Sequence, residues 1–195
     1  IAAGRGQKPA FIDPRGSWTY GDLAERVNRF GNVLRALGIR FLTDPEHQFA
    51  SLGEQDVVIL PAFGVTIAML QDLSSRGCTL VDTTCGSVLN VWKNVKRYAQ
   101  DGFTAIIHGK YWHEETRATA SRALGENGKG HYLIILTMAD CDVVCDFIRH
   151  GGDREAFLNR FAGGYSPGFD PEVHLKRIGV ANQTTMLKSE TEEIQ

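Results

Sequence analysis

The sequence predicts an α/β fold, a parallel sheet flanked by helices, preceded by a β-hairpin and one long helix. Three observations predict it. Between residues 56 and 181, short apolar runs alternate with segments whose apolar residues recur every three or four positions, the pattern of βαβ units. The apolar runs are near-continuous rather than alternating, as in strands buried on both faces of a parallel sheet. Glycine, proline and capping residues punctuate the exchanges between the two kinds of segment.

The elements follow in chain order. Residues 10–13 and 17–20, separated by Pro14, Arg15 and Gly16, read as a hairpin. A helix over 21–37 carries Leu23, Val27, Phe30, Leu34 and Leu37 on one face, and Gly38 ends it. The polar stretch TDPEHQFASLGEQ marks a boundary. The run 56–60 (DVVIL) has strand length and is punctuated by Pro61 and Gly64. Thr66 caps a helix bearing Ile67, Leu70 and Leu73, closed by Gly77. Residues 78–81 form the next strand. Ser87 caps a helix with Val88, Val91, Trp92, Val95 and Tyr98 on one stripe, ended by Gly102. Residues 103–107 are a strand, 116–124 a helix, and ENGKG a turn. A strand at 132–136, a helix through Ile148 and a strand at 178–181 complete the series.

In an open parallel sheet, ligands bind outside the carboxyl ends of the strands. The turns leaving those ends read PAFG, DTTCG, HGKYWHEET and NQTT. Cys85 in DTTCG is either a small buried residue or an exposed thiol, aided by the next helix's N-terminus and able to ligate iron or zinc. His113 and Glu115 in HEET either cap a helix within a solvated charged face, or bind an anion and move a proton. His108 ends an apolar strand and can instead be a core histidine. Gln183, Thr184 and Thr185 either cap a helix or donate to a phosphate. Cys78 lies within a strand, and Cys141 and Cys145 share a helix face; packing is the reading for all three. No CxxC, GxGxxG, Walker loop or GxSxG is present.

Composition bounds the function classes. At 195 residues, 43% hydrophobic and 23% charged, the chain reads as globular. A net charge of −2 gives no argument for nucleic acid or a membrane surface. The apolar runs are too short to span a bilayer, and no charged-then-apolar leader gives reason to expect export. Four cysteines in such a chain read as thiols or metal ligands rather than a disulfide framework. The expected location is the cytoplasm, or the plastid stroma in a eukaryote.

From about residue 37 onward the chain resembles the 4-hydroxy-3-methylbut-2-enyl diphosphate reductases, in the long branch typical of oxygenic phototrophs. The strings that carry the resemblance are VVILPAFGVT, GCTLVDTTCGSVLNVWKNVKRYA, IIHGKYWHEETRATAS, DFIRHGGDREAFLNRF, SPGFDPEVHL and GVANQTTMLKSETEEI. The resemblance implies one and a fraction of three similar α/β domains around a 4Fe–4S cluster, each giving one cysteine. By that resemblance Cys85 is the cluster ligand of the middle domain. His113 binds the substrate diphosphate, Glu115 delivers protons to the substrate hydroxyl, and Thr184 is the active-site threonine. It also implies an electron donor such as ferredoxin or flavodoxin, and reductive dehydroxylation to isopentenyl and dimethylallyl diphosphate. The other two cysteine ligands are not in this sequence, so the implied ligand set is incomplete here, and Phe63 stands where the common form has histidine. Residues 1–38 resemble the N-terminal hairpin and helix of acyl- or benzoate-CoA ligases, in KPAFIDPRGSWTYGDLAERVNRFGNVLRALG, without that family's adenylation motifs. The expected organisation is therefore a ligase-like piece at 1–38, a junction at 39–55 and a reductase-like region at 56–195. The alternatives are the N-terminal piece of an adenylate-forming ligase, or a non-catalytic fusion fragment.

Overall fold

The computed structural model describes residues 9–13, 16–42, 49–186 and 192–194. The chain divides into two compact units, meeting between Leu52 and Gly53.

In the first unit, strands β1 (Pro9–Asp13) and β2 (Gly16–Thr19) pair antiparallel. The expected turn residues Pro14 and Arg15 lie outside the described residues. Helix α1 (Tyr20–Ala36) follows directly, capped by Thr19 in a reciprocal box with Asp22. Leu23, Val27, Phe30 and Val33 on it are exposed.

The second unit holds the α/β elements. Strand β3 (Val57–Leu60) and strand β4 (Thr79–Asp82) run parallel, with Leu60 opposite Asp82. Strands β5 (Thr104–His108), β6 (His131–Ile135) and β7 (Ile178–Asn182) form a second parallel ladder, ordered β6-β5-β7. In that ladder His108, Ile135 and Asn182 are in register at the carboxyl edge. The sequence predicts one parallel sheet; the parallel ladders of the described residues are two. The sheets also differ in burial. Every residue of β5 is buried. Along β3, however, buried Val58 and Leu60 alternate with Val57 and Ile59, which are 64% and 60% exposed. No described helix covers that face, so the expectation of burial on both faces holds for β5 and fails for β3.

Helices α2 (Ile67–Ser75), α3 (Gly86–Gln100), α4 (Glu114–Ala123) and α5 (Met138–His150) connect the strands. The N-cap of helix α3 is Cys85, not Ser87, so the helix begins at Gly86, and α4 begins at Glu114 with His113 as its cap. Val95 of α3, Ala105 and Ile107 of β5 and Ala120 of α4 share one core cluster. On the other side of the ladder, Ile106, Leu133 and Ile135 pack against Val144 and Phe147 of α5 and a group of phenylalanines. Two of these, Phe157 and Phe161, belong to or end helix α6 (Arg154–Arg160), and Phe169 precedes helix α7 (Pro171–His174). Both short helices are additions to the sequence reading. Each starts on an aspartate cap, Asp153 and Asp170.

Two ladders stay in step because helix α4 is bolted to the start of α2. The Arg122 guanidinium donates to the carbonyls of Val65 at 2.7 Å and Ala118 at 3.0 Å, and lies over the Trp92 ring at 3.2 Å. Burial pulls its pKa down to about 10. Ser121 Oγ accepts from the amide of Ile67 at 3.2 Å. Trp92 in turn donates from Nε1 to Thr119 Oγ1.

Candidate active site

The four turns at the carboxyl ends of the strands are joined by a continuous series of contacts. PAFG meets DTTCG first. The amide of Cys85 donates to the Ala62 carbonyl at 2.8 Å, and Thr83 Oγ1 donates to the Leu60 carbonyl at 2.5 Å. Asp82 shapes DTTCG by accepting from both the hydroxyl and the amide of Thr84. The Thr84 hydroxyl first, and then its N–H, hold the Asp82 carboxyl below its usual range. In PAFG, Gly64 has φ of +76°, and a β-carbon there would run into the Trp92 ring. Only glycine meets both demands.

PAFG then meets HEET. The rings of Phe63 and His113 stand edge to face, 6.2 Å between centroids. His113 is the N-cap of α4: its Nδ1 accepts from the Glu115 amide at 3.1 Å. An accepting Nδ1 puts the proton of the neutral ring on Nε2, which becomes a donor. Capping and anion binding are therefore compatible roles of opposite ring nitrogens.

HEET meets NQTT through Glu115, only 2% exposed, whose Oε1 accepts from the Thr184 amide at 2.5 Å. A buried strut lies behind this bond. Gln183 Oε1 accepts from the Thr116 hydroxyl at 3.0 Å and the Lys110 amide at 3.1 Å, while the Gln183 amide donates to the His108 carbonyl. Gly109 passes so close that a β-carbon would lie 2.7 Å from Thr116 Oγ1.

The structure thus brings His113, Glu115 and Thr184 into one cluster and reaches Cys85 through Ala62 and Phe63. Cys85 is exposed, Cys78 is buried and Cys141 and Cys145 are intermediate, the order expected from their sequence settings. Cys141, on α5, packs against the core, and burial together with Cys145 pushes its thiol up to about 11. His108 is wholly buried. Sequence reasoning missed the Gln183 strut and the Arg122–Trp92 clamp. A lone arginine on a helix looks like a solvated charge, and the glutamine looks like a cap.

The described residues do not by themselves complete an iron–sulfur site. A four-iron cluster takes three or four cysteines, and no group of three or more His, Cys, Asp or Glu among the described residues is placed to hold a metal. Cys85 is a single thiol donor, its side chain making no capping hydrogen bond. No described helix is long and apolar enough to cross a membrane.

Comparison with known proteins gives the family. A protein from Picosynechococcus sp., a 4-hydroxy-3-methylbut-2-enyl diphosphate reductase, is 49% identical over 165 residues, covering 84% of this chain and 40% of that protein. The reductase of the same name from Synechocystis sp. is 52% identical over 163 residues, covering 83% of this chain and 41% of its own length. The chain thus spans about two fifths of the curated relatives it matches. A solved structure of (E)-4-hydroxy-3-methyl-but-2-enyl diphosphate reductase, the terminal enzyme of the non-mevalonate pathway, superposes with a TM-score of 0.52 at 22% identity. It covers 82% of this chain and 52% of that one, a likeness of fold. The family model described as LytB protein matches residues 16–195, and the chain belongs to that family.

Proposed function

We propose that this chain is part of a 4-hydroxy-3-methylbut-2-enyl diphosphate reductase and supplies its proton donor and part of its diphosphate site. The observation that carries the reading is the buried Glu115 carboxyl, held by the Thr184 amide and flanked by His113 at the mouth of α4. The reaction takes two electrons and two protons. The carbon–oxygen bond of the allylic alcohol breaks, its hydroxyl leaves as water with one proton, and the second proton goes to carbon. The products are isopentenyl and dimethylallyl diphosphate, and the electrons come from a carrier such as ferredoxin or flavodoxin.

Each residue has a task that its geometry suits. Glu115 gives the proton to the leaving hydroxyl. The Thr184 N–H on Oε1 stabilises the carboxylate left behind. His113 donates from Nε2 to a diphosphate oxygen while Nδ1 stays fixed on the helix amide. Thr184 adds a hydroxyl beside it. Cys85 is the thiol this region offers to the iron–sulfur cluster that supplies electrons in the complete protein. Residues 56–195 are the reductase part in this reading.

The test uses the full-length enzyme that carries this region. Glu115→Gln keeps size and hydrogen-bond reach but removes the proton; turnover should fall ~10²-fold or more with little change in substrate affinity. His113→Ala should weaken binding first. Normal turnover in Glu115→Gln would remove it from the mechanism, and a full-length protein inactive on this substrate would end the reading as a whole.

A further inference from the structure

At the opposite edge of the β6-β5-β7 ladder lies a concavity. It opens at the amino ends of β5, β6 and β7 and has a volume of about 340 Å³. Lys129, His131, His174, Lys176 and Arg177 line it, and none of its lining residues is Asp or Glu. Two stretches far apart in sequence bring these five together: the turn before β6 with the first residue of β6, and the end of α7 with the link into β7. Among the described residues no carboxylate is ion-paired with Lys129, Lys176 or Arg177. Arg177 is steadied by the Phe103 ring, 4.4 Å from its guanidinium carbon.

The two histidines are stacked, 3.7 Å between centroids and 26° between planes. His174 Nδ1 accepts from the Asp170 amide at 2.7 Å, which places the proton of the neutral ring on Nε2. His131 Nδ1 lies 3.0 Å from the Oγ of Ser166, a fully buried hydroxyl that also accepts from the Tyr132 amide. In the tautomer in which the Ser166 hydroxyl donates to Nδ1, His131 too carries its proton on Nε2. The three cations around one hollow repel one another in the absence of a counter-charge. A multivalent anion resolves that arrangement, and a phosphoryl group suits it: point charges from lysines, a planar fork from arginine and neutral imidazole donors all recognise phosphate oxygens.

We propose that this cavity binds a phosphoryl oxyanion, either free phosphate or diphosphate or the head of a small phosphorylated molecule. The site is separate from the four-turn cluster, since it lies at the other end of the strands. It does not depend on the reductase reading.

The experiment follows the imidazole C2 protons of His131 and His174 by NMR in the 195-residue chain carrying His113→Ala, so that binding at the four-turn cluster does not contribute. Inorganic phosphate, inorganic diphosphate and an alkyl diphosphate are titrated at constant ionic strength. Saturable shifts of both resonances are expected, with tighter binding for the more highly charged ions. A tighter alkyl diphosphate than inorganic diphosphate would identify the organic source; equal or weaker binding would identify the free ion. Lys129→Gln and Lys176→Gln, both at exposed positions, should each weaken binding about tenfold while leaving the remaining spectrum unchanged. Shifts that merely follow ionic strength, that chloride reproduces, or that survive both lysine substitutions would overturn the proposal.

Discussion

Replacing Gly109 with alanine tests the strut that holds the HEET and NQTT turns together. The added methyl would sit 2.7 Å from Thr116 Oγ1, 3.0 Å from Gln183 Cβ and 3.3 Å from Gln183 Oε1. Ordinary contact begins near 3.4 Å, so Thr116 or the backbone must yield by several tenths of an ångström. Neither neighbour is the loose end of a flexible chain. Thr116 is fully buried, Gln183 is nearly so, and the two are bonded to each other. Overpacking of this kind costs ~1–3 kcal/mol. If Gln183 Oε1 is displaced from the Thr116 hydroxyl or the Lys110 amide, a buried donor is left unsatisfied at a further ~1–3 kcal/mol. The combined expectation for Gly109→Ala is ~2–6 kcal/mol of lost stability, read from urea unfolding of the 195-residue chain. The same substitution in a Thr116→Ala background removes the shortest contact, so its penalty should shrink by ~1 kcal/mol or more. A loss under ~1 kcal/mol, or an equal penalty in both backgrounds, would refute the strut argument.

Two further outcomes are expected. Iodoacetamide labelling of the native chain followed by mass spectrometry should modify Cys85 first and Cys78 last, with Cys141 slow because burial and Cys145 push its thiol up to about 11; Cys141 reacting ahead of Cys85 would contradict this order. Because the Thr84 hydroxyl and amide depress the Asp82 pKa in the folded state, the stabilisation is present above the unfolded carboxylate value and is lost as pH falls through the folded one. The urea midpoint should therefore drop on acidification below about pH 4, and Asp82→Asn should flatten that part of the profile.

Much of the second unit was legible because its signals are local. The apolar runs at β3, β5, β6 and β7 announced strands, and the glycines and caps between them announced exchanges. The four polar turns could be assigned to one edge because parallel strands share a direction. Long-range facts were not legible. Nothing in DVVIL says that, among the described residues, its ladder has two strands and one of its faces is uncovered. The cap of α3 moved from Ser87 to Cys85 because several polar residues in DTTCGS can precede a helix, and the Cys85 amide's bond to Ala62 comes from another turn. Helices α6 and α7 carry good cap signals at Asp153 and Asp170, but they are short enough to lack a readable period. The stacking of His131 on His174 joins two loops that no periodicity connects.

The half-covered β3–β4 pair also governs how the chain behaves in solution. Val57 and Ile59 of β3 and Val81 of β4 face outward on a ribbon two strands wide. Among the described residues each of those strands has one ladder partner, so each leaves an edge with open amides and carbonyls. Flat apolar edges of this kind recruit other chains. Handled on its own, the 195-residue chain is therefore expected to self-associate as its concentration rises, through the ribbon rather than through the well-packed β6-β5-β7 ladder. Charged replacements at Val57 and Ile59 are the direct way to keep it monomeric for the measurements above.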